Sequence, residues 1–368
     1  MKFLSSLLVF LGLVSVCVAQ EVTESAAKQI QAAAPELLER TREAGLSVVL
    51  IENCKATWHG DFGVADRAHD KRVDPNTLFQ FGSMSKTITA WAIMTLVQEG
   101  KVDLDAPVNK YLKSWKLKSA DFDPAEVTVR RVLHHAAGLS LPSVSGVDFG
   151  TKVPALVDEL SGIGQSKTAV TITEKPGSKF TYSGGGYALL QLLLEDVTGM
   201  SFRAYVSNKI FKPVGMTTAT FAPDRNTLLK AATPYNKDGA IQPFRLYSAE
   251  GAAGLYATVD DYAKFVVAHC SANNQVLKDQ TLKSMFEGDA VTPRYGMGYE
   301  LMPRLTENPI ISHSGSNLGW KANFILFPTE GVGIVVATNS DVGDARKRII
   351  SIWRDAVVAK YKPSPGPK

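Results

Sequence analysis

The sequence predicts an α+β fold: an antiparallel sheet flanked by helices and interrupted by an inserted, mostly helical domain. Three observations lead there. Strand-like apolar runs occur early, at Leu46 to Glu52 and Ala56 to Ala65, and again late, within Ser312 to Asp341. Helical periodicity flanks both groups, from Glu21 to Gly45 and from about Ala345 to Lys360. The middle of the chain carries helix and loop signals and shows no internal repeat. Strands at both ends of one chain imply a discontinuous sheet domain over residues 20–104 and 245–361, with residues 105–244 as the insertion. A functional site is expected in the cleft between the two.

Each element has its own signal. In the first helix Pro35 is expected to introduce a kink, and the turn at Asn53 to Lys55 joins the first two strands. Phe79 to Phe81 closes an extended aromatic run, Gly82 breaks it, and Ile88, Trp91, Ala92, Thr95 and Leu96 then recur at helical spacing until Gly100. From Val102 the sequence VDLDAPVNKYL turns to loop and short helices. VTVRRVLHHAAGLS, from Val127 to Ser140, is a short helix ended by Gly138, and its His134 and His135 are expected to tie down their own loop rather than react. FTYSGGGYALLQLLLEDVTG, from Phe180, places three glycines before an apolar helix running from Tyr187 to Val197 and ended by Gly199, with Tyr182 on the loop ahead of it. IFKPVGMTTAT reads as a helix end and turn. In GAAGLYATVDDYAKFVVAH, Thr258 or Asp260 caps an amphipathic helix. Ser312 to Asp341 gives two or three strands in hairpin order, with a polar turn at Pro328 to Gly331, and residues 362–368 form a flexible tail. The loops Leu141 to Lys175 and Leu301 to Pro309 are expected to shape the substrate pocket.

Composition narrows the class. The chain has 368 residues, 45% of them hydrophobic, enough for one large or two smaller globular domains. Its net charge of +4 is small and scattered, which excludes the basic stripe of a nucleic-acid binder. The six histidines and the cysteines show no metal-ligand spacing, so neither metal nor cofactor is expected. MKFLSSLLVFLGLVSVCVA, residues 1–19, has a basic start, an apolar run and a small-residue end. It is expected to be a signal peptide cleaved after Ala19, with lipid attachment at Cys17 as the lesser alternative. Export to the periplasm or the medium follows. No segment is long enough to be expected to span a membrane. Removing the leader leaves Cys54 and Cys270, either a disulfide or two buried thiols. Oligomeric state is open.

The chemistry centres on FGSMSK, where Ser83 and Lys86 form an S-x-x-K pair at a helix entrance. At i,i+3 the two side chains share one face, so the amine reaches the hydroxyl. The helix end favours negative charge on the serine oxygen, and a lysine made neutral by its surroundings can take the serine proton. A second S-x-x-K, Ser25 and Lys28, lies in a polar alanine-rich helix with no strand or glycine before it and reads as a solvated face. A tyrosine such as Tyr182 serves either packing or acid/base work. Gly315 and Gly319 flank a strand edge whose N–H groups are candidates to face a substrate. The chain contains no G-x-S-x-G, which argues against a Ser-His-Asp triad on an α/β-hydrolase fold.

FGSMSK, YSGGGY and HSGS occur in that order, and residues 40 to 340 resemble the serine β-lactamase and penicillin-binding-protein superfamily, in its class C-like branch with D,D-peptidases, D-aminopeptidases and esterases. LDAPVNKYL, VTVRRVLHHAAGL, IFKPVGMT and AAGLYATVDDYAKF share in the resemblance. It implies a β-lactamase/transpeptidase-like fold and a serine hydrolase that forms an acyl-enzyme on Ser83, acting on a small-molecule or peptide substrate. Lys86 shares the proton, and Tyr182, on the insertion, stands as the tyrosine of the Y-x-N motif. The N–H groups of Ser83 and Ser316 form the oxyanion hole. His313, Ser314 and Gly315 match the third motif, usually K-T-G, and His135 matches a structural histidine. Two departures bear on substrate: Gly184 stands where Y-x-N has asparagine, and His313 replaces a permanent cation for which Lys321 is a candidate substitute. Ester, peptide or D-amino-acid amide hydrolysis is thereby favoured over β-lactam turnover, with a non-catalytic binder of peptidoglycan or a protein partner as the remaining alternative.

Overall fold

The computed structural model describes residues 5–270, 274–303, 305 and 307–361, with side chains from residue 23 onward except those of residues 359 and 361. The leader expected at residues 1–19 and the tail at 362–368 lie outside the residues whose side chains are described. Helix α1 is Ser5–Thr41, with Pro35 inside it. Strands β1 (Gly45–Glu52) and β2 (Lys55–Asp66) form a hairpin, followed by the short β3 (Lys71–Arg72). Helices α2 (Ser85–Gln98), α3 (Gly184–Thr198) and α4 (Val259–Val267) come next. Strands β4 (Glu300–Met302), β5 (Ile310–Asn317), β6 (Trp320–Phe327) and β7 (Val332–Thr338) precede helix α5 (Asp344–Tyr361).

The strands make one seven-stranded sheet in the order β3-β2-β1-β7-β6-β5-β4, and every neighbouring pair is antiparallel. The first and last strand groups meet at its centre, where Val48 lies opposite Val336. Alternation along the central strands sends side chains to two faces. Leu46, Val48, Leu50, Ile334 and Val336 pack under Ala26, Ile30 and Leu38 of α1 and Ile349, Trp353 and Val357 of α5. Val49, Ile51, Val335 and Ala337 point the other way, into a larger cluster with Trp91 of α2, Leu193 of α3 and Phe265 of α4. That cluster continues without a break into Val108, Leu112, Val127 and Leu160 of the middle region.

Local differences from expectation have local causes. Helix α1 stops at Thr41 because Arg42 takes a left-handed conformation and Gly45 already belongs to β1. Helix α3 begins at Gly184, three residues early, because the Ser183 hydroxyl caps it by accepting from Gly186 N. Thr258, one of the two candidate caps, accepts from Asp261 N and starts α4. Helix α2 is buried on all sides from Ser85 to Leu96, so its periodicity marks a central helix rather than an amphipathic one. Residues 105–244 hold more loop than helix: besides α3 and one continuous helical stretch over residues 202–214, which loosens to a π-helix at Ser207–Phe211, their helices are five residues or shorter. Their backbone groups are paired across long intervals instead, as in Ser140 N to Thr171 O and Thr181 N to His135 O.

Cys54 and Cys270 form a disulfide. Cys54 sits with Asn53 in a two-residue hairpin loop, both at positive φ, which is the geometry that matches strand twist. The bridge ties this β1–β2 turn to the chain just beyond α4.

Candidate active site

The site begins with a backbone crossing. Phe79–Gln80 pairs with Tyr256–Ala257, and Gly82, at φ +53°, then turns the chain into a 3₁₀ turn, Gly82–Met84, that runs straight into α2. Ser83 therefore stands in the tighter turn ahead of the α-helix. In a 3₁₀ turn residues i and i+3 eclipse, which brings Lys86 under Ser83. The edge of β5 beyond Ser312 is not paired by β4, and the 3₁₀ turn packs there. A Cβ on Gly315 would fall 1.9 Å from Phe81 O, and one on Gly82 would fall 2.8 Å from Ser316 N. Glycine at both positions lets the two backbones cross in contact.

Lys86 is buried, only 2% exposed. Its Nζ donates to Ser83 Oγ at 3.2 Å and to Ala252 O at 2.7 Å, and stands 5.1 Å from the centre of the Tyr182 ring. The Glu250–Ala253 turn that supplies Ala252 O is itself held to α2, since Thr89 Oγ1 donates to Gly251 O. Tyr182 rests against the His135 ring, with ring centres 4.3 Å apart. His135 Nδ1 accepts from Ser183 N, fixing the loop that presents the tyrosine. His134 donates from Nδ1 to Tyr295 O. Both histidines are structural, but each anchors a segment remote in sequence rather than its own loop.

His313 faces away from the cleft. Its Nδ1–H donates to Ser314 O at 2.7 Å and its Nε2 accepts from the Tyr295 hydroxyl at 3.1 Å. Burial pushes its pKa below the ordinary histidine value; the Glu300 carboxylate opposes the shift and the Lys86 charge adds to it. Burial, assisted by Lys86, also holds His135 well below that value. The next residues on β5 turn outward: Ser314 Oγ donates to Glu300 Oε1 at 3.1 Å, and Lys321 Nζ donates to Ser316 Oγ at 2.6 Å.

A cavity of about 540 Å³ opens over this group, lined by Ser83, Lys86, Tyr182, Ser316 and Lys321, with Val144, Arg245, Tyr247, Asn317 and Leu318 completing the wall. A second cavity of about 420 Å³ shares Ser83, Tyr182, Ser316 and Lys321 and extends past Ser314 and Gly315 to Glu300 and Arg346. Of the residues singled out from the sequence as facing a substrate, His313, Gly184 and Gly319 line neither; the Gly319 N–H donates instead to Asp341 Oδ1 at 2.7 Å. His313 is turned inward by strand alternation, and Gly184 is covered by the Pro142–Ser143 backbone and the Val144 side chain, its N–H bonded to Pro142 O at 3.1 Å. Pro142 to Gly146 of the first predicted pocket loop lines the cleft. The second loop does not: Leu301, Pro303 and Pro309 line a separate cavity of about 1080 Å³ beside the disulfide, away from Ser83. Arg245, Tyr247, Asn317 and Glu300 escape sequence reasoning because each stands outside any motif and reaches the cleft only through chain crossings.

The decoy pair separates cleanly. Ser25 and Lys28 lie exposed on α1, where Lys28 pairs with Glu24 at 2.7 Å. Among the described residues no helix is long and apolar enough to cross a membrane, and no cluster of three or more His, Cys, Asp or Glu is placed to hold a metal.

Protein flp of Staphylococcus aureus (strain MRSA252) is 24% identical over 329 residues, covering 86% of this chain and 64% of that protein. The chain thus spans under two thirds of the length of the curated relatives it matches first. Among solved structures, the octameric penicillin-binding protein homologue from Pyrococcus abyssi matches with a TM-score of 0.75 at 25% identity, over 92% of this chain and 78% of that one. EstCE1, a hydrolase with promiscuous acyltransferase activity, matches with a TM-score of 0.76 at 21% identity, over 91% and 99% of the two chains. The antiparallel sheet with its flanking helices and helical middle segments is the β-lactamase and penicillin-binding-protein fold. The sequence model of the family described as Beta-lactamase matches residues 30–357, and the chain belongs to that family.

Proposed function

We propose that the protein is an exported serine hydrolase that forms an acyl-enzyme on Ser83 and cleaves an ester, amide or peptide bond. The observation that carries this reading is the buried Lys86 Nζ, anchored on Ala252 O and 3.2 Å from Ser83 Oγ, in a cleft shared with Tyr182. Transfer of the serine proton to Lys86 or Tyr182 frees Oγ to attack the substrate carbonyl. The N–H groups of Ser83 and Ser316 stabilise the tetrahedral oxygen, a geometry favoured by the contact between Gly82 and Ser316. Tyr182 then protonates the leaving group and activates the water that releases the acyl chain. Lys321, bridged to Ser316, offers a cation to a substrate carboxylate. The Cys54–Cys270 disulfide agrees with an oxidising compartment and so with export.

One observation favours a second reading, a binder without turnover. A Cβ at Gly184 would stand 3.2 Å from Pro142 O and 3.4 Å from Ser143 Cα and Val144 Cγ1, so the covering loop crowds the position where the motif has asparagine. The experiment that tests the first reading is fluorophosphonate labelling followed by intact-mass spectrometry. A single adduct is expected on wild type and none on Ser83→Ala; labelling that persists in the variant sinks the assignment. With a panel of p-nitrophenyl esters, D-Ala-D-Ala peptides, D-amino-acid amides and nitrocefin, a burst followed by turnover supports the enzyme. A lasting adduct without product supports the binder.

A further inference from the structure

Lys86 Nζ has two oxygen partners among the described residues, Ser83 Oγ at 3.2 Å and Ala252 O at 2.7 Å. The first is the reacting group, so Ala252 O is the fixed point from which the amine reaches the serine, and Gly184 has no side chain to add another. Ala252 lies in the short turn Glu250–Ala253, closed by Gly254 N donating to Glu250 O at 2.8 Å. A side chain of α3 locates that turn. Gln191, only 3% exposed, donates from Nε2 to Ser248 O at 3.1 Å and accepts at Oε1 from Gly251 N at 3.0 Å. A carbonyl can only accept and a backbone N–H can only donate, so the two ends of this amide cannot be exchanged. From the α2 side Thr89 Oγ1 donates to Gly251 O at 2.8 Å. The remaining tie, from Arg203 to the Glu250 carboxylate, comes from a side chain more than half exposed.

We infer that Gln191 is a positioning residue for acyl transfer: by clamping Ser248 O and Gly251 N, its amide sets the Ala252 carbonyl that holds Lys86 against Ser83. This rests on the acyl-enzyme reading of Ser83. One amide bridges backbone groups on both sides of Ala249 and Glu250, so the segment cannot roll without breaking one of the two bonds. Lysine carries its charge on a flexible four-carbon stem. An amine without a fixed acceptor therefore samples positions from which it cannot share the serine proton. Gln191 follows Gly184 by two helical turns and lies on the same face of α3. That face begins with no side chain at Gly184 and acts on the lysine further along, through a backbone carbonyl rather than by direct contact.

The test measures fluorophosphonate labelling of Ser83 against reagent concentration, which separates the maximal rate from the half-saturating concentration. Gln191→Met, equally long and unbranched, removes both bonds with little change of shape. Its maximal rate is expected to fall roughly tenfold, the size of one net hydrogen bond, with the half-saturating concentration unchanged, because the amine moves and the cleft does not. Thr95→Val is the control. It removes buried bonds to Ala92 O and the Tyr205 hydroxyl, both at 2.7 Å, from the helix that carries Lys86, but none to the turn, and both constants should match wild type. A wild-type maximal rate in folded Gln191→Met overturns the inference, and so does an equal loss of rate in Thr95→Val. Where Gln191→Met does not fold, Gln191→Leu is measured in its place against the same two outcomes. Failure of the fluorophosphonate to label Ser83 in wild type is a different failure: it removes the hydrolase reading, and this inference with it.

Discussion

Lys86 owes its setting to neutral neighbours. The imidazoles of His135 and His313 both have pKa values lowered by burial, so neither adds a charge beside the amine near neutral pH. His59 on β2 shows the opposite balance. Burial lowers its pKa, but hydrogen bonds to Asp260, at 2.7 Å, and to Asp61 outweigh that and raise it to about 9. A histidine whose folded pKa is raised contributes stability that is fully present below its ordinary value of 6.5 and fades as pH rises through about 9. Urea unfolding at pH 6 and pH 9.5 is expected to show wild type losing on the order of 2 kcal/mol across that window, a loss absent from His59→Gln. Equal losses in both proteins would show that the Asp260–His59–Asp61 bridge between α4 and β2 carries no linked proton. FGSMSK pointed to Ser83 and Lys86 in advance, because their proximity follows from local helix geometry. The partners that hold Lys86 were not legible: Ala252 O lies 166 residues away and is a backbone atom that no motif marks.

Among elements, the crossing of β5 with the 3₁₀ turn does most to shape the site. Gly315→Ala would press a methyl against Phe81 O at 1.9 Å, with backbone on both sides and no flexible side chain to give way. The expected cost is about 2 kcal/mol or more, with slower fluorophosphonate labelling of Ser83 because the turn must move. Gly100→Ala is the control: no heavy atom lies within 4 Å of its Cβ position, and its φ of +70° sets a cost of about 1–2 kcal/mol. Labelling should be normal there; equal labelling in both variants would mean that the crossing does not position Ser83. Element identities were legible where one strong signal sufficed, as in the three hairpin strands β5, β6 and β7. The extent of helix in residues 105–244 was not. Leu139 and Ile172 pair across an isolated bridge, and Pro107 with Thr128 across another, so distant segments satisfy backbone groups that local reading would assign to helix.

For the whole molecule, the sheet is closed by the pairing of β1 with β7, whose partners lie nearly the full chain apart, as Leu46 and Thr338 do. The disulfide adds a second long closure, bridging positions 216 residues apart. Cross-linking so long a loop restricts the unfolded chain, and replacing both cysteines by serine is expected to cost about 2–5 kcal/mol. Chemical denaturation with and without reductant checks this: the wild-type midpoint should fall on reduction, and the double variant should not respond.

The sequence by itself determined the fold class, the hairpin succession within the early and the late strand groups, and the closeness of Ser83 to Lys86, because each rests on short-range periodicity or on side chains one turn apart. It left open whether Cys54 and Cys270 meet, and it assigned His313 and Gly184 to a cleft that neither lines. Those questions needed tertiary structure. Pairing, strand face and loop coverage depend on which remote backbones come into contact, and a carbonyl or amide from another segment leaves no mark on the residues it will touch.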